Sequence, residues 1–280
     1  MRTMTILFAI VLLTTAISLY PCLGAEGGPA SITVQVNKPG PKVSPLLWGI
    51  FFEDINLSAD GGIYPELVRN RSFEDSDKPE FWELVNKGEA KAEMAIDTSQ
   101  PLTPMNRRSL RVTLDGASAL GNRGYWGMNV VKGEGYKVRL AARATGGFTG
   151  PLTVILEGQT GIELAKSEIT GLTEGWKWFT LDLTASDTDS KARLTLAAAG
   201  KGTLWLDRVS VLPKKTWKGH GLRSDLCEML AGLKPSFMRF PGGCWVEGDD
   251  MAHMNHWKET IGDIANRKPL WNIWQYWATH

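Results

Sequence analysis

Gly49-Ile-Phe-Phe-Glu-Asp-Ile-Asn56 runs small and apolar residues straight into two acids. The residues before it, Ser44-Pro-Leu-Leu-Trp48, are also mostly apolar, so the whole stretch reads as a strand buried on both faces. An acid at the exit of such a strand stands where enzymes often place chemistry. Whether Glu53 and Asp54 are functional or a solvated strand end sets how the rest of the chain is read.

Working outward, Ile32-Thr-Val34-Gln-Val36 alternates as a strand should, and Gly61-Gly62 marks a turn. A short helix is expected next, with Pro65 in its first turn and Leu67 and Val68 inward. From Asp75 to Pro213 the texture is one of short alternating strands: Tyr136–Leu140, Trp176–Leu183, Arg193–Leu196 and Thr203–Val211, with Gly133, Gly146-Gly147, Gly171, Gly200 and Gly202 read as turns between them. Many short strands without a helical period predict an antiparallel β-sandwich. From Lys214 the pattern changes. Ser224 or Asp225 caps a helix with Leu226, Met229, Leu230 and Leu233 on one face, stopped at Lys234-Pro235. Ser236–Phe240 reads as a strand that ends in Pro241-Gly-Gly-Cys244. An all-β module thus interrupts a strand–helix–helix–strand run.

The N-terminus carries one early cation, Arg2, an apolar run from Met4 to Leu19 and small residues at Gly24 and Ala25, the pattern of a secretory signal peptide. Cys227 and Cys244 are then too few for a disulfide framework. With 31 basic and 30 acidic residues and no basic run, the chain shows no footprint for nucleic acid or for an anionic membrane, and no stable membrane insertion is expected after signal removal. Twelve tryptophans, all after the signal, are the notable excess, and tryptophan stacks on sugar rings as well as filling cores.

Four stretches carry a resemblance: Gly49–Asn56, Ala59–Glu74, Met238–Gly248 and Trp271–Trp277 closely resemble α-L-arabinofuranosidases of glycoside hydrolase family 51. The resemblance implies an α/β plus all-β fold class: a (β/α)8 TIM barrel, here incomplete with first strands only, interrupted by a jelly-roll β-sandwich that resembles a carbohydrate-binding module. The expected domains are a signal peptide over 1–25, an N-terminal strand and first βα unit over 26–74, the sandwich over 75–213 and a truncated continuation of the barrel over 214–280. It also implies a secreted or periplasmic enzyme that hydrolyses terminal arabinofuranosyl groups with retention, using two glutamates about 5 Å apart. The outer regions together fall well short of the roughly 250 residues of a typical barrel. The resemblance implies an acid/base glutamate that follows an asparagine at the end of barrel strand four and a nucleophile at the end of strand seven; no Asn-Glu pair follows Cys244, so both are expected beyond this chain, which is read as an N-terminal fragment without turnover.

The resemblance makes Glu53 a ligand of arabinose hydroxyls, Cys244 a lining residue of the sugar subsite and Trp274 a neighbour of the substrate, with Arg239, Gly242 and Gly243 in support. Trp271, Trp274 and Trp277, three apart, equally suit a packed helix or strand end. Asp54 is expected to support the strand end, Trp205 to be core, and Trp245, Glu247, Asp249 and Asp250 to supply an aromatic wall and carboxylates. Arg239 is expected to pair with an interior carboxylate. Tyr125 and Trp126, in a Gly-rich loop, are candidates for stacking on polysaccharide. No metal or cofactor is expected, because His253, His256 and His280 lack the spacing of a zinc site. The expected partner is an arabinose-containing polysaccharide or oligosaccharide. A non-catalytic carbohydrate-binding protein and a related barrel xylosidase or endoglucanase remain as alternatives.

Overall fold

The computed structural model describes residues 29–278, so the expected signal peptide lies outside the described residues. The chain divides at Ser44 into two compact units. In the first, the expected strand at Ile32–Val36 does not form: Ile32, Val34 and Val36 are exposed in irregular backbone. Alternation alone offered no partner strand, and an unpaired strand leaves its backbone groups to water.

The second unit is mostly β. Its strands are β1 (Ile50–Phe51), β2 (Trp82–Asn86), β3 (Glu93–Asp97), β4 (Ser109–Asn122), β5 (Met128–Val130), β6 (Gly135–Thr145), β7 (Leu152–Glu157), β8 (Glu163–Ile169), β9 (Lys177–Thr184), β10 (Asp189–Pro213), β11 (Met238–Arg239), β12 (Leu270–Trp271) and β13 (Trp277–Ala278). Among the described residues two α-helices follow β10, α1 (Ser224–Gly232) and the single turn α2 (Cys244–Glu247), with 3-10 turns at Trp217–Gly219, Trp257–Thr260 and Ile264–Asn266.

Strands β2 to β10 form one antiparallel sheet in the order β2-β4-β10-β6-β9, with β3 also on β4, β5 and β7 also on β10, and β8 on β7. β4 runs along one edge of β10 from Leu194↔Asn122 to Leu206↔Leu110 without a break. The other edge of β10 is taken first by β7 and then by β6. Gly200 and Gly202, expected as a turn between two strands, therefore lie inside one long strand. Alternate residues point to one face: Leu110, Val112 and Leu114 of β4, Val138, Leu140 and Ala142 of β6, Val154 and Leu156 of β7, and Leu194, Leu196, Leu204 and Leu206 of β10 form a single core. On β10 the inward residues are even-numbered up to Leu206 and odd-numbered from Val209. The register shift between Asp207 and Ser210, with Arg208 at φ 46°, is a β-bulge that moves the pattern by one.

No helix forms near Pro65. Val68 and Phe73 enter the sheet's core, while Leu67 N donates to Val211 O and Val209 N to Arg71 O. The segment is fastened by a buried network in place of a helical ladder. Glu66 Oε1 accepts from the backbone N–H of Val68 and Val211, both at 3.0 Å, and Oε2 accepts from Arg71 at 2.9 Å and from Ser210 Oγ at 2.6 Å. Arg71 also pairs with Asp60 at 3.1 Å. Burial alone would lower the guanidinium's pKa, but Asp60 and Glu66 outweigh it and the net shift is upward.

The strand expected over Ser44–Glu53 is shorter and more open than its composition suggests. β1 pairs in parallel with β11, Ile50 opposite Met238 and Phe51 opposite Arg239. The backbone ladder extends further, from Ser236 N→Trp48 O to Asp54 N→Pro241 O. Yet Leu47, Trp48, Phe51, Met238 and Phe240 are exposed. A parallel pair needs cover on both faces, and among the described residues these side chains stay largely open to solvent. α1 forms where its period predicts, but Met229 and Leu233 of its apolar face are exposed as well, and Cys227 is its buried residue.

Candidate functional site

β1 and β11 deliver their C-terminal ends side by side, which brings Glu53 against the loop after β11. Glu53 Oε1 accepts from the backbone N–H of Gly243 at 3.0 Å and of Trp245 at 3.1 Å, so it caps α2 from a strand distant in sequence. Gly242 makes the approach possible. Its φ is +148°, and a Cβ there would lie 2.5 Å from Glu53 Cγ and 2.6 Å from Oε1. Cys244 sits between the two donors and is exposed. Glu53 Oε2 accepts no hydrogen bond among the described residues. The geometry leaves one carboxylate oxygen unengaged beside the backbone of a thiol-bearing residue.

Glu53's own backbone is held by Ser58, whose hydroxyl donates to Glu53 O at 2.6 Å and accepts from Ile55 N at 3.2 Å. The sequence offered no signal for this beyond a hydroxyl a few residues on. Asn56-Leu-Ser58 and Asn70-Arg-Ser72 match the N-glycosylation sequon; these bonds account for Ser58, and Asn70 is buried with its Nδ2 donating to Glu80 O, so its side chain is already engaged.

Asp54 is 1 % exposed and accepts from Ala59 N at 3.0 Å, which fits its expected support of the strand end. The carbonyl of Asp54 accepts from Tyr276 Oη at 2.8 Å. Burial, and then Asp54, push the Tyr276 phenol well above its usual value, so it stays a donor. This bond ties the β12–β13 hairpin to the strand end that carries Glu53. Trp274 lies in the hairpin's turn, half-buried, with Nε1 enclosed and unpaired among the described residues. The fully buried Asn272 shapes that turn, accepting from Trp274 N at 2.9 Å. Trp271 and Trp277 stack edge-on at 5.5 Å across the hairpin, so the three-residue spacing marks strand ends and no helix.

Two expectations need correction. Arg239 has no carboxylate partner among the described residues; it is exposed and its guanidinium lies 4.8 Å from the centre of the Phe51 ring. Trp245 is 3 % exposed and so is no open aromatic wall. Trp205, by contrast, is buried as expected, its Nε1 donating to Asp97 Oδ2 at 2.8 Å. Asp249, Asp250 and His253 cluster at the surface, with His253 Nδ1 2.9 Å from Asp250 and 3.1 Å from Asp249.

Comparison with known proteins follows the same outline. Residues 229–280 match the family model described as an α-L-arabinofuranosidase 1 domain. Over 267 residues the chain is 37% identical to α-L-arabinofuranosidase 1 of Arabidopsis thaliana, covering 89% of this chain and 39% of that one. An extracellular exo-α-L-arabinofuranosidase of Streptomyces chartreusis is 36% identical over 267 residues, 88% of this chain and 31% of its own. The solved structure of an arabinose-bound family 51 α-L-arabinofuranosidase superposes with a TM-score of 0.77 at 31% identity, over 84% of this chain and 40% of that one. The chain thus spans well under half the length of the relatives it matches. Sequence and backbone agree over most of its length, and these 280 residues match a portion of the α-L-arabinofuranosidases of glycoside hydrolase family 51.

Proposed function

We propose that these residues form the N-terminal part of a secreted glycoside hydrolase that releases terminal α-L-arabinofuranosyl groups from arabinose-containing plant polysaccharides with retention. In this reading the outer segments, 26–74 and 214–280, are the first strands of a (β/α)8 barrel, and the jelly-roll sandwich over 75–213 is inserted between them. Glu53, Cys244 and Trp274 bind the sugar; Arg239, Gly242 and Gly243 support them. The acid/base and nucleophilic glutamates lie in sequence outside these 280 residues. Secretion is supported by the apolar N-terminus and by the word extracellular in the name of one relative. Among the described residues no helix is long and apolar enough to cross a membrane.

The observation that carries the reading is the Glu53 carboxylate. Two backbone N–H groups fix Oε1, which leaves Oε2 oriented as an acceptor for a hydroxyl beside Cys244. A group pinned in this way binds without first paying to become ordered.

The test is an aryl α-L-arabinofuranoside assay on the longer protein and on the 280-residue chain. The longer protein turns over and the chain alone does not. Glu53→Gln, which keeps an acceptor for the two N–H groups, lowers kcat/KM roughly tenfold to hundredfold in the longer protein by weakening the sugar bond. Faster hydrolysis of an aryl β-xyloside would favour a related xylosidase, and tight polysaccharide binding without turnover would favour a binding protein. Robust turnover by the 280 residues alone would overturn the assignment of the catalysts.

A further inference from the structure

A cleft of about 460 Å³ opens between the β4–β5 loop, residues 61–67 and the stretch leading from β10 into α1. It shares no lining residue with the Glu53 site. Its floor is Tyr125, packed so closely on Gly61 that a Cβ there would lie 2.5 Å from the ring. Tyr125 is therefore part of the framework. Trp126 beside it, with ring centroids 6.2 Å apart, is 69 % exposed.

The loop spends several hydrogen bonds on holding Trp126 in water. Gly124 N donates to Asn122 Oδ1 at 2.9 Å, Gly127 N to Arg123 O at 3.0 Å, and Lys191 Nζ to the Trp126 carbonyl at 2.9 Å. Leaving a large indole in water forgoes the gain of burying it. A tryptophan fixed in that state, at the edge of a concave surface, is a ready stacking platform.

The charged groups of the rim are electrically balanced and stand among apolar residues, Pro65, Leu67, Val131 and Pro213. Lys215 pairs with Glu134 at 3.4 Å and Arg223 with Asp225 at 2.8 Å, while Asn129 is exposed between apolar neighbours. An anionic ligand would meet cations that are already paired. A neutral polyhydroxyl ligand would meet donors, acceptors and an apolar ring face together.

We infer that this cleft is a second carbohydrate site, separate from the arabinose wall, in which one ring of a neutral oligosaccharide stacks on Trp126 while its hydroxyls bond to Asn129, Glu134 and Lys215. It rests on the proposed function only in its choice of polysaccharide. The test is affinity electrophoresis of the 280-residue chain through gels containing soluble arabinoxylan or linear arabinan. At least one of them retards the chain. Trp126→Ala weakens that binding roughly tenfold, Trp126→Tyr retains most of it, Glu134→Ala weakens it, and Glu168→Ala, exposed on β8 and no part of the cleft lining, leaves it unchanged. Far-UV circular dichroism checks that each variant is folded. Retardation that survives both Trp126→Ala and Glu134→Ala overturns the site, as does an equal loss in Glu168→Ala. A chain that neither polysaccharide retards overturns it too, whereas the arabinofuranoside assay of the longer protein would stand untouched by that result.

Discussion

Glu66 shows how much one buried carboxylate can organise. Its two oxygens serve two backbone N–H groups, a hydroxyl and Arg71, and its side chain is wholly buried. Glu66→Ala strands those donors and leaves Arg71 short of one counter-charge, so a loss of about 3–5 kcal/mol is expected in urea unfolding. Glu83→Ala, which removes an exposed partner of Arg123 at 3.5 Å, should change stability by less than about 0.5 kcal/mol. Asp75 gives a pH dependence of definite sign. Burial raises its pKa to about 6, against a lowering by Arg69, whereas the unfolded chain ionises near 3.9. Between those values the folded state holds the extra proton, so the Asp75 contribution to stability falls as pH rises from about 4 to about 6. Urea midpoints of Asp75→Asn should lose that part of the slope; an unchanged slope would sink the assignment. Glu53 and Asp54 were separable in the sequence only through the family resemblance. Ser58, Asn272 and Tyr276, which hold the two acids' strand end, were not legible, because a hydrogen bond between distant segments leaves no local pattern.

At the scale of the element, β10 was read as two strands because Gly200 and Gly202 look like punctuation. Both have positive φ, 134° and 139°, yet the ladder to β4 passes through them unbroken. A glycine marks a backbone freedom, and sequence does not say whether a turn or a bent strand uses it. At Gly202 a Cβ would lie 2.6 Å from Thr145 O. Gly202→Ala should therefore cost about 1–3 kcal/mol by urea unfolding. Gly121→Ala, in β4 with nothing within 4 Å, should be nearly neutral. Equal effects would show that the close approach does not matter. The helix α1 was legible from its period alone, whereas the helix expected at Pro65 failed because Glu66 turned inward to cap β10's end.

Over the whole molecule, the apolar side chains divide into one enclosed core and one open surface. The sheet's core is legible in the alternation of β6, β9 and the two halves of β10. The open surface runs over Leu47, Trp48, Phe51 and Met238 towards α1, where Trp48 Nε1 donates to Leu233 O at 3.1 Å. Composition marked these residues as buried, and burial is decided by what covers them. Apolar surface of this extent left open to water drives association. Sedimentation of the 280-residue chain should show concentration-dependent self-association, and the double variant Leu47→Lys, Met229→Lys should reduce it without shifting the urea midpoint. A strictly monomeric wild-type chain would contradict this.

The long strand β10 has a further consequence, in the order in which a ribosome delivers the sheet. β4, β5, β6 and β7 all emerge before the strand that joins them, and Leu110 waits for Leu206. Until β10 arrives, those strands have open edges and no shared core. Pairings of such long sequence separation form slowly, and waiting edges invite wrong partners. A nascent chain halted before Asp189 should accordingly remain sensitive to protease, and become resistant only once Pro213 has cleared the exit tunnel.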